Sequence, residues 1–206
     1  AQYSIVDRID YSNDTAQASP KGPLGQQKHS HGATGNGNFG YHGGGSNHLG
    51  SRTTSIFRIE YFNDTATAVQ KGSLSTSPAV KELTATGNRD FGYFMGGEAP
   101  SAISTVDRLD YSSDTTNCVA KGPLSSVKQA LSSTGNRNFA YIGGGSTPSI
   151  ISTVDRLDYA SDTVTASPKG PLSVARNFLA ATGDANFGYF GGGNPGPKST
   201  VDRIDY

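Results

Sequence analysis

The chain has 206 residues with 17 basic and 17 acidic side chains, so its formal net charge is zero. This balance, without any block of like charge, argues against binding to nucleic acid or to an anionic membrane surface, because both call for a basic surface. The single cysteine, Cys118, excludes a disulfide framework within the chain, and no apolar run is long enough to predict membrane insertion.

An eight-residue phrase recurs along the whole chain. It reads SIVDRIDY at 4–11, TSIFRIEY at 54–61, STVDRLDY at 104–111 and 152–159, and STVDRIDY at 199–206. Its arginines are therefore 50, 50, 48 and 47 residues apart. A fixed period near 50 residues predicts one continuous repeat array. The predicted units are about 1–51, 52–103, 104–151 and 152–198, and a fifth begins at 199–206.

Each unit is predicted to contain four short β-strands, which the fourth unit shows in chain order. They are the strand STVDRLDY (152–159), the turn ASDT (160–163), the strand VTAS (164–167), the breaker PKGPL (168–172), a third strand within 173–182, the loop GDAN (183–186) and the strand FGYFGGG (187–193). Strands joined in order by turns predict an antiparallel meander within each unit. Four-stranded units of this length build β-propellers, so we expect an all-β fold whose blades pack face to face around an axis.

The order of these motifs resembles the kelch repeat, and the resemblance covers essentially the whole chain. It rests on a strand that ends in a glycine pair, on a strand that ends in tyrosine, and on a later proline-then-arginine stretch. The matching positions are Gly43-Gly44, Gly96-Gly97, Gly143-Gly144 and Gly191-Gly192, with Tyr11, Tyr61, Tyr111 and Tyr159. The chain departs from the kelch pattern because it has no tryptophan. The near-identical units also resemble, more weakly, repeat proteins of marine cyanobacterial phages, which implies a virion or tail-fibre origin.

The number of strands is not balanced between the two ends. The VDRIDY strand occurs five times, whereas each of the other three strands occurs four times. A closed ring of four blades would leave one such strand over. We therefore expect a segment of a longer propeller, an open array, or self-association in which the spare strand pairs with another chain.

Five arginines recur at one position of the repeated phrase, and in four copies an aspartate precedes the arginine. A ring of arginines could bind a ligand near the axis, or each guanidinium could bridge strands by pairing with a carboxylate of its own or a neighbouring blade. Because the arginine recurs in every unit and a binding site needs only one or two copies, structural pairing is favoured. The predicted inter-strand pairs involve Arg8, Arg58, Arg108, Arg156 and Arg203, with Asp107 and Asp155 among the carboxylates.

All four histidines lie in the first unit, and two of them replace side chains that are apolar in the other units. If 35–38 is the loop, Thr34 faces Phe39, and this register places His31 opposite His42 with His29 on the same face as His31. Three imidazoles predict a candidate site for zinc or another divalent metal, and no other cofactor is expected. The alternatives are an exposed or mutually hydrogen-bonded histidine pair and a pH-sensitive contact.

The connections that follow the glycine pairs change in length and chemistry while the strands hardly change. Because loops on a rigid scaffold carry recognition, we expect ligand contacts there, although tolerant linkers are the alternative. The candidate contact residues are Asn47, His48, Arg52, Glu98, Thr147 and Asn194. In addition, Asn13 and Asn63 begin N-glycosylation sequons on predicted turns, where they can equally be plain turn residues.

These features predict a non-enzymatic binding or structural protein on the outside of a cell or on a virion surface. The leading hypothesis is an adhesin that recognises a cell-surface glycan or protein through loops on one propeller face. A general kelch-type protein-interaction scaffold is the alternative. A metal-dependent enzyme that uses the first-unit histidines is the third hypothesis, and no nucleic acid partner is expected.

Overall fold

The computed structural model describes residues 4–13, 15–196 and 198–206 of the chain, and these residues form an all-β fold. The only helices in these ranges are three short 3₁₀ turns, Tyr61–Asn63, Tyr111–Ser113 and Tyr159–Ser161. The strands in chain order are β1 (Asp7–Arg8), β2 (Ser19–Pro20), β3 (Lys28–His29), β4 (Gly32–Gly35), β5 (Phe39–Gly43), β6 (Ser46–Asn47), β7 (Ser55–Glu60), β8 (Val69–Ser73), β9 (Thr84–Gly87), β10 (Phe91–Met95), β11 (Val106–Asp110), β12 (Val119–Ala120), β13 (Ser132–Gly135), β14 (Phe139–Gly143), β15 (Ser146–Thr147), β16 (Ser149–Ile150), β17 (Val154–Asp158), β18 (Ser167–Lys169), β19 (Ala180–Gly183), β20 (Phe187–Gly191) and β21 (Val201–Asp205).

Four antiparallel sheets are arranged as a four-blade β-propeller, which confirms the predicted fold class. Blade 1 has the order β4-β5-β7-β8, blade 2 the order β9-β10-β11-β12, blade 3 the order β13-β14-β17-β18, and blade 4 the order β19-β20-β21. Strands β1 and β2 form a separate N-terminal hairpin. Two further pairs, β3 with β6 and β15 with β16, lie in the connections.

The blades do not coincide with the sequence units, so the predicted meander within one unit is wrong. Blade 2, for example, takes β9 and β10 from the unit 52–103 and β11 and β12 from the unit 104–151. Strand β10 pairs with β11 over five residues, from Phe91 with Asp110 to Met95 with Val106. The glycine pair Gly96-Gly97 allows this connection, because both residues have a positive φ (62° and 108°) that turns the chain back towards its sheet.

Apolar side chains and stacked tyrosines hold successive blades together. Tyr41 of blade 1 stacks on Tyr111 of blade 2 with ring centroids 4.9 Å apart, and Tyr93 stacks on Tyr159 in the same way at 4.8 Å. The Tyr111 hydroxyl lies 3.0 Å from the Thr34 hydroxyl of the preceding blade. Each of these interfaces therefore joins a strand–turn tyrosine to the central strand of the blade before it.

A backbone ladder runs around the axis of the propeller. The amide of Glu82 donates to the carbonyl of Ser30 (2.8 Å), Ala130 donates to Glu82 (2.9 Å), and Phe178 donates to Ala130 (2.8 Å). These four residues all have a positive φ and line one cavity of about 240 Å³ at the axis. The ladder thus positions equivalent residues of the four blades against each other.

At both ends of the array, apolar side chains are exposed whose counterparts in the inner blades are buried. Val201 of β21 is 63% exposed, whereas Val106 and Val154 at the same position are fully buried. Ile9 next to β1 is 60% exposed, whereas its counterpart Leu109 is 1% exposed. Blade 4 also lacks a fourth strand among the described residues.

Candidate functional site

The repeated arginines form ion pairs between blades, but with partners that the sequence analysis did not predict. Three of them pair with the aspartate of the turn that follows the repeated phrase in the next unit. The pairs are Arg8–Asp64 at 2.7 Å, Arg58–Asp114 at 2.7 Å and Arg108–Asp162 at 2.8 Å. Of the remaining two, Arg156 lies over the Phe139 ring (4.6 Å to the centroid), and Arg203 pairs with Asp205 of its own strand at 3.1 Å.

Asp114 is the centre of one such junction and collects several donors. Its carboxylate accepts hydrogen bonds from Arg58 and from the Tyr41 hydroxyl (2.9 Å), and the Lys71 ammonium lies 3.5 Å away. Its carbonyl accepts a hydrogen bond from the Gly72 amide at 2.8 Å. Burial and the Asp114 carboxylate raise the pKa of Tyr41, so this hydroxyl stays protonated and remains a donor. Asp114 therefore ties blade 1 to blade 2.

The carboxylates predicted to pair with these arginines are buried and contact other groups, so that part of the prediction is wrong. Asp155 pairs with Lys128 at 3.1 Å, and neither side chain is exposed. Asp107 accepts hydrogen bonds from the hydroxyls of Ser75 and Thr76 instead. The physical reason is strand alternation, because an aspartate next to the arginine points to the opposite face of the blade.

Blade 1 and the connection before it depart from this pattern at several positions together. Phe57 replaces the buried aspartate, and Lys28 lies over its ring, 4.9 Å from the centroid. The Lys28 ammonium donates to the carbonyls of Gly44 (3.0 Å) and Ser55 (2.7 Å). Burial without a carboxylate lowers the pKa of Lys28 to about 8. Gly25 stands where other units have the serine donor, and a Cβ there would lie 2.4 Å from Phe57.

His31 and His42 are in contact, with Nε2 of His31 3.1 Å from Nδ1 of His42. Burial lowers the pKa of each imidazole to about 4, and the charge of Lys28 lowers both pKa values further; at His31 the charges of His42 and His29 add to this effect. The predicted register is wrong by two residues, because Ala33 pairs with His42 and Thr34 pairs with Tyr41. The error arises at the turn, where Asn36 caps a tighter loop by accepting from the amides of residues 38 and 39.

The metal prediction required His29 to join this pair. His29 is exposed, and its Nδ1 lies 3.0 Å from the Ser30 hydroxyl. Within residues 4–13, 15–196 and 198–206 no group of three or more His, Cys, Asp and Glu side chains is placed to hold a metal ion. Two imidazoles are fewer than the three or four protein ligands of zinc sites, so the contacting residues do not fit zinc.

Some of the predicted contact residues hold the connections in place, and others are exposed at their surface. Arg52 pairs with Glu98, which also lies 3.2 Å from the Lys81 ammonium, so both residues join neighbouring connections. Asn47 accepts hydrogen bonds from the amides of Leu49 (3.0 Å) and of residue 51 (3.1 Å) and shapes its own loop. This leaves His48 and Leu49 at the tip, with Leu49 76% exposed. Among the contact candidates outside this loop, Asn194 forms an exposed backbone bridge to Asn177.

Thr147 lines a cavity of about 470 Å³ between the second and third connections, which we term the connection cavity. The other lining residues are Ser101, Ala102, Val127, Gln129, Ser146 and Pro148. Its walls combine hydroxyls and an amide with apolar surface, which suits a ligand that carries both hydrogen-bonding and apolar groups. Its lining comes from segments that differ among the units.

A larger cavity lies on the opposite face, which the sequence analysis did not select. It has a volume of about 670 Å³ between the hairpin turns of blades 1 and 2, and Asn38, Arg89, Asp110 and Tyr111 contribute to its lining. We term it the hairpin cavity. Position 89 varies among the units, with glycine, arginine, arginine and alanine in turn. That variation was visible in the sequence and is the signal that could have found this cavity.

Asn13 and Asn63 are both exposed, and the glycosylation hypothesis for them stays a prediction. No helix of the part of the chain described here is long and apolar enough to cross a membrane. No family model matches the chain, and no curated protein matches it either.

Proposed function

We propose that this chain is a non-enzymatic binding protein that presents its connections from a rigid propeller, outside a cell or on a virion. Its ligand is a cell-surface glycan or protein. The kelch-like order of motifs and the weaker likeness to phage repeat proteins support this origin. A general protein-interaction scaffold is the alternative.

The observation that carries the proposal is the connection cavity between two segments of variable sequence. The strands around it repeat the same contacts in successive blades, as the Asp114 and Asp162 junctions show. A scaffold held by repeated contacts allows the connections to vary without loss of the fold. Thr147 and Gln129 provide polar groups at the cavity wall, and the exposed His48 and Leu49 extend the same face.

The experiment is a binding screen of the chain against a glycan array and against solubilised cell-surface proteins. Thr147→Trp fills the connection cavity, and Asn38→Trp is the matched control because it fills the hairpin cavity on the opposite face. We expect Thr147→Trp to abolish binding and Asn38→Trp to preserve it. Loss of binding in Asn38→Trp alone would place the site on the other face and refute the proposal.

The screen also separates the two kinds of ligand. Binding to one class of glycan supports the adhesin, and capture of one protein that Thr147→Trp abolishes supports the scaffold. If neither library yields a ligand that depends on Thr147, the proposal fails.

A further inference from the structure

The face of blade 4 that no following blade covers carries an open groove. At the equivalent positions of blades 1 and 3, a side chain of the next blade fills the groove. The groove has a volume of about 240 Å³ and is lined by Ala180, Ala181, Thr182, Tyr189, Gly191 and Val201. A Cβ added at Gly191 would meet only a methyl group of Val201, 3.7 Å away. We term this surface the end groove.

The equivalent positions inside the chain show what such a groove accepts. A Cβ at Gly43 of blade 1 would lie 2.6 Å from the Phe94 ring of blade 2, and one at Gly143 would lie 2.8 Å from the Phe190 ring of blade 4. Where blade 2 has Met95 in place of glycine, the next blade has the smaller Ile142 in the same core cluster. A groove with glycine at this position therefore accepts an aromatic ring from the following blade. The end groove has glycine, Gly191, at the same position.

Among the described residues, His42 matches the inserted ring and follows only the two-stranded hairpin β1-β2 instead of a four-stranded blade. It occupies in blade 1 the position of Phe94, Ile142 and Phe190, at a central strand next to the first connection. An imidazole has the flat shape of a phenyl ring and is smaller, so it fits a glycine groove. His42 of blade 1 is thus the counterpart of the Phe94 and Phe190 rings that fill the grooves at Gly43 and Gly143.

A backbone hydrogen bond that recurs between successive blades is missing after blade 4 in the described part of the chain. The amides of Gly45, Gly97 and Gly145 donate to carbonyls of the next blade at 2.8–2.9 Å. The equivalent amide of Gly193 donates to no backbone carbonyl among the described residues. The end groove therefore lies beside a free donor that inside the chain always meets another blade.

We propose that the end groove binds a second copy of this chain. Blade 1 and the N-terminal hairpin of one copy dock on blade 4 of another and repeat the interface that joins the blades within one chain. Because the two surfaces differ, the association is head-to-tail and can continue from copy to copy.

The first and last strands of the chain have the same sequence, and this determines which strands pair between the two copies. Residues 6–11 and 201–206 are both VDRIDY, and only one such strand can pair with β20. The hairpin brings β2 as a fourth strand, which blade 4 lacks, so β1 takes the place of β21 in the composite blade. The hairpin keeps the contact of Arg8 with Asp64 in its own copy. Its exposed Ile9 becomes as buried as Leu157, which occupies the same position of the repeated phrase in blade 3.

A second copy is favoured over the chain's own hairpin because the two ends do not pair within one chain. Among the described residues, strand β1 pairs with β2 alone, and β20 pairs with β19 and β21. Both end surfaces remain exposed in the same molecule, as Val201 and Ile9 show. Unpaired strand edges and apolar faces of this kind are templates for association.

The test measures mass against concentration by analytical ultracentrifugation. Gly191→Trp fills the end groove, where an added Cβ meets only a methyl group of Val201, with a side chain larger than the Met95 that packs with Ile142 between blades 2 and 3. Val119→Trp is the matched control, because Val119 is 57% exposed and lies in blade 2, away from both proposed docking surfaces. We expect the unmodified chain and Val119→Trp to exceed the mass of 21.4 kDa as concentration rises. Gly191→Trp should remain at 21.4 kDa.

Two results would overturn the proposal. One is a mass of 21.4 kDa for the unmodified chain at every concentration, and a lower melting temperature of Gly191→Trp than of Val119→Trp would then indicate closure within one chain. The other is unchanged association of Gly191→Trp. Hydrogen exchange adds a positive signature, because association should increase exchange at Val201–Asp205 and decrease it at Asp7–Arg8. Association with constant protection at both strands would contradict the strand replacement.

Discussion

Replacing Asp114 by alanine should destabilise the fold far more than the same change at Asp64. Asp114 is 8% exposed at its side chain and accepts from a buried tyrosine hydroxyl and from Arg58, whose side chain is 18% exposed. Removing one partner from a buried, hydrogen-bonded charge pair costs about 3–5 kcal/mol. The Tyr41 hydroxyl would also lose its acceptor. We therefore expect Asp114→Ala to lower the free energy of unfolding by about 3–5 kcal/mol.

Asp64→Ala is the matched control at the equivalent position of the preceding junction. Its partner Arg8 has a side chain that is 54% exposed, and no tyrosine among the described residues donates to it. Pairs this exposed contribute about 0.2–1 kcal/mol. Urea unfolding followed by circular dichroism measures both variants. Equal losses for the two, or a loss below about 1 kcal/mol for Asp114→Ala, would refute the role of Asp114 as a buried junction.

Three further predictions follow from the titrations in the first unit and from the buried thiol. Because folding lowers the pKa of Lys28 to about 8, the unfolded chain binds more protons above that pH, so stability should rise from pH 8 to 9.5 relative to Lys28→Met in urea titrations. Because the pKa values of His31 and His42 fall to about 4, their contribution should be lost as pH drops from 6.5 towards 4, and the double change His31→Leu, His42→Phe should flatten that loss; an equal slope in both proteins would contradict it. Burial raises the pKa of the Cys118 thiol, so a thiol reagent should react only at the rate of unfolding, and fast labelling of the folded chain would contradict this burial.

The strands and the repeat could be read from the sequence because both are local. The alternation in STVDRLDY and the glycine pairs mark where strands begin and end, and the structure confirms strands at these places, such as Val154–Asp158. Which strands share a sheet could not be derived, because a constant period gives spacing and not pairing. Equal spacing is compatible with a blade inside one unit and with a blade shared by two.

The long-range partners of charged residues were hidden for a similar reason. Asp162 was interpreted as a turn residue, although its carboxylate accepts from Arg108, 54 residues earlier in the chain. The two-residue error in the His31–His42 register came from the assumed loop at 35–38, because Asn36 closes a shorter turn. The contact between the two imidazoles was nevertheless visible as a paired departure from apolar residues.

Backbone nuclear Overhauser effects across the unit boundary at residues 103 and 104 test the shared blade most directly. Strand pairing predicts contacts of Phe94 with Asp107 and of Gly92 with Leu109, which belong to different units. We expect these contacts together with those between Phe94 and Ala85 on the other side of the strand. Contacts of residues 106–110 only with strands of their own unit would contradict the propeller described above.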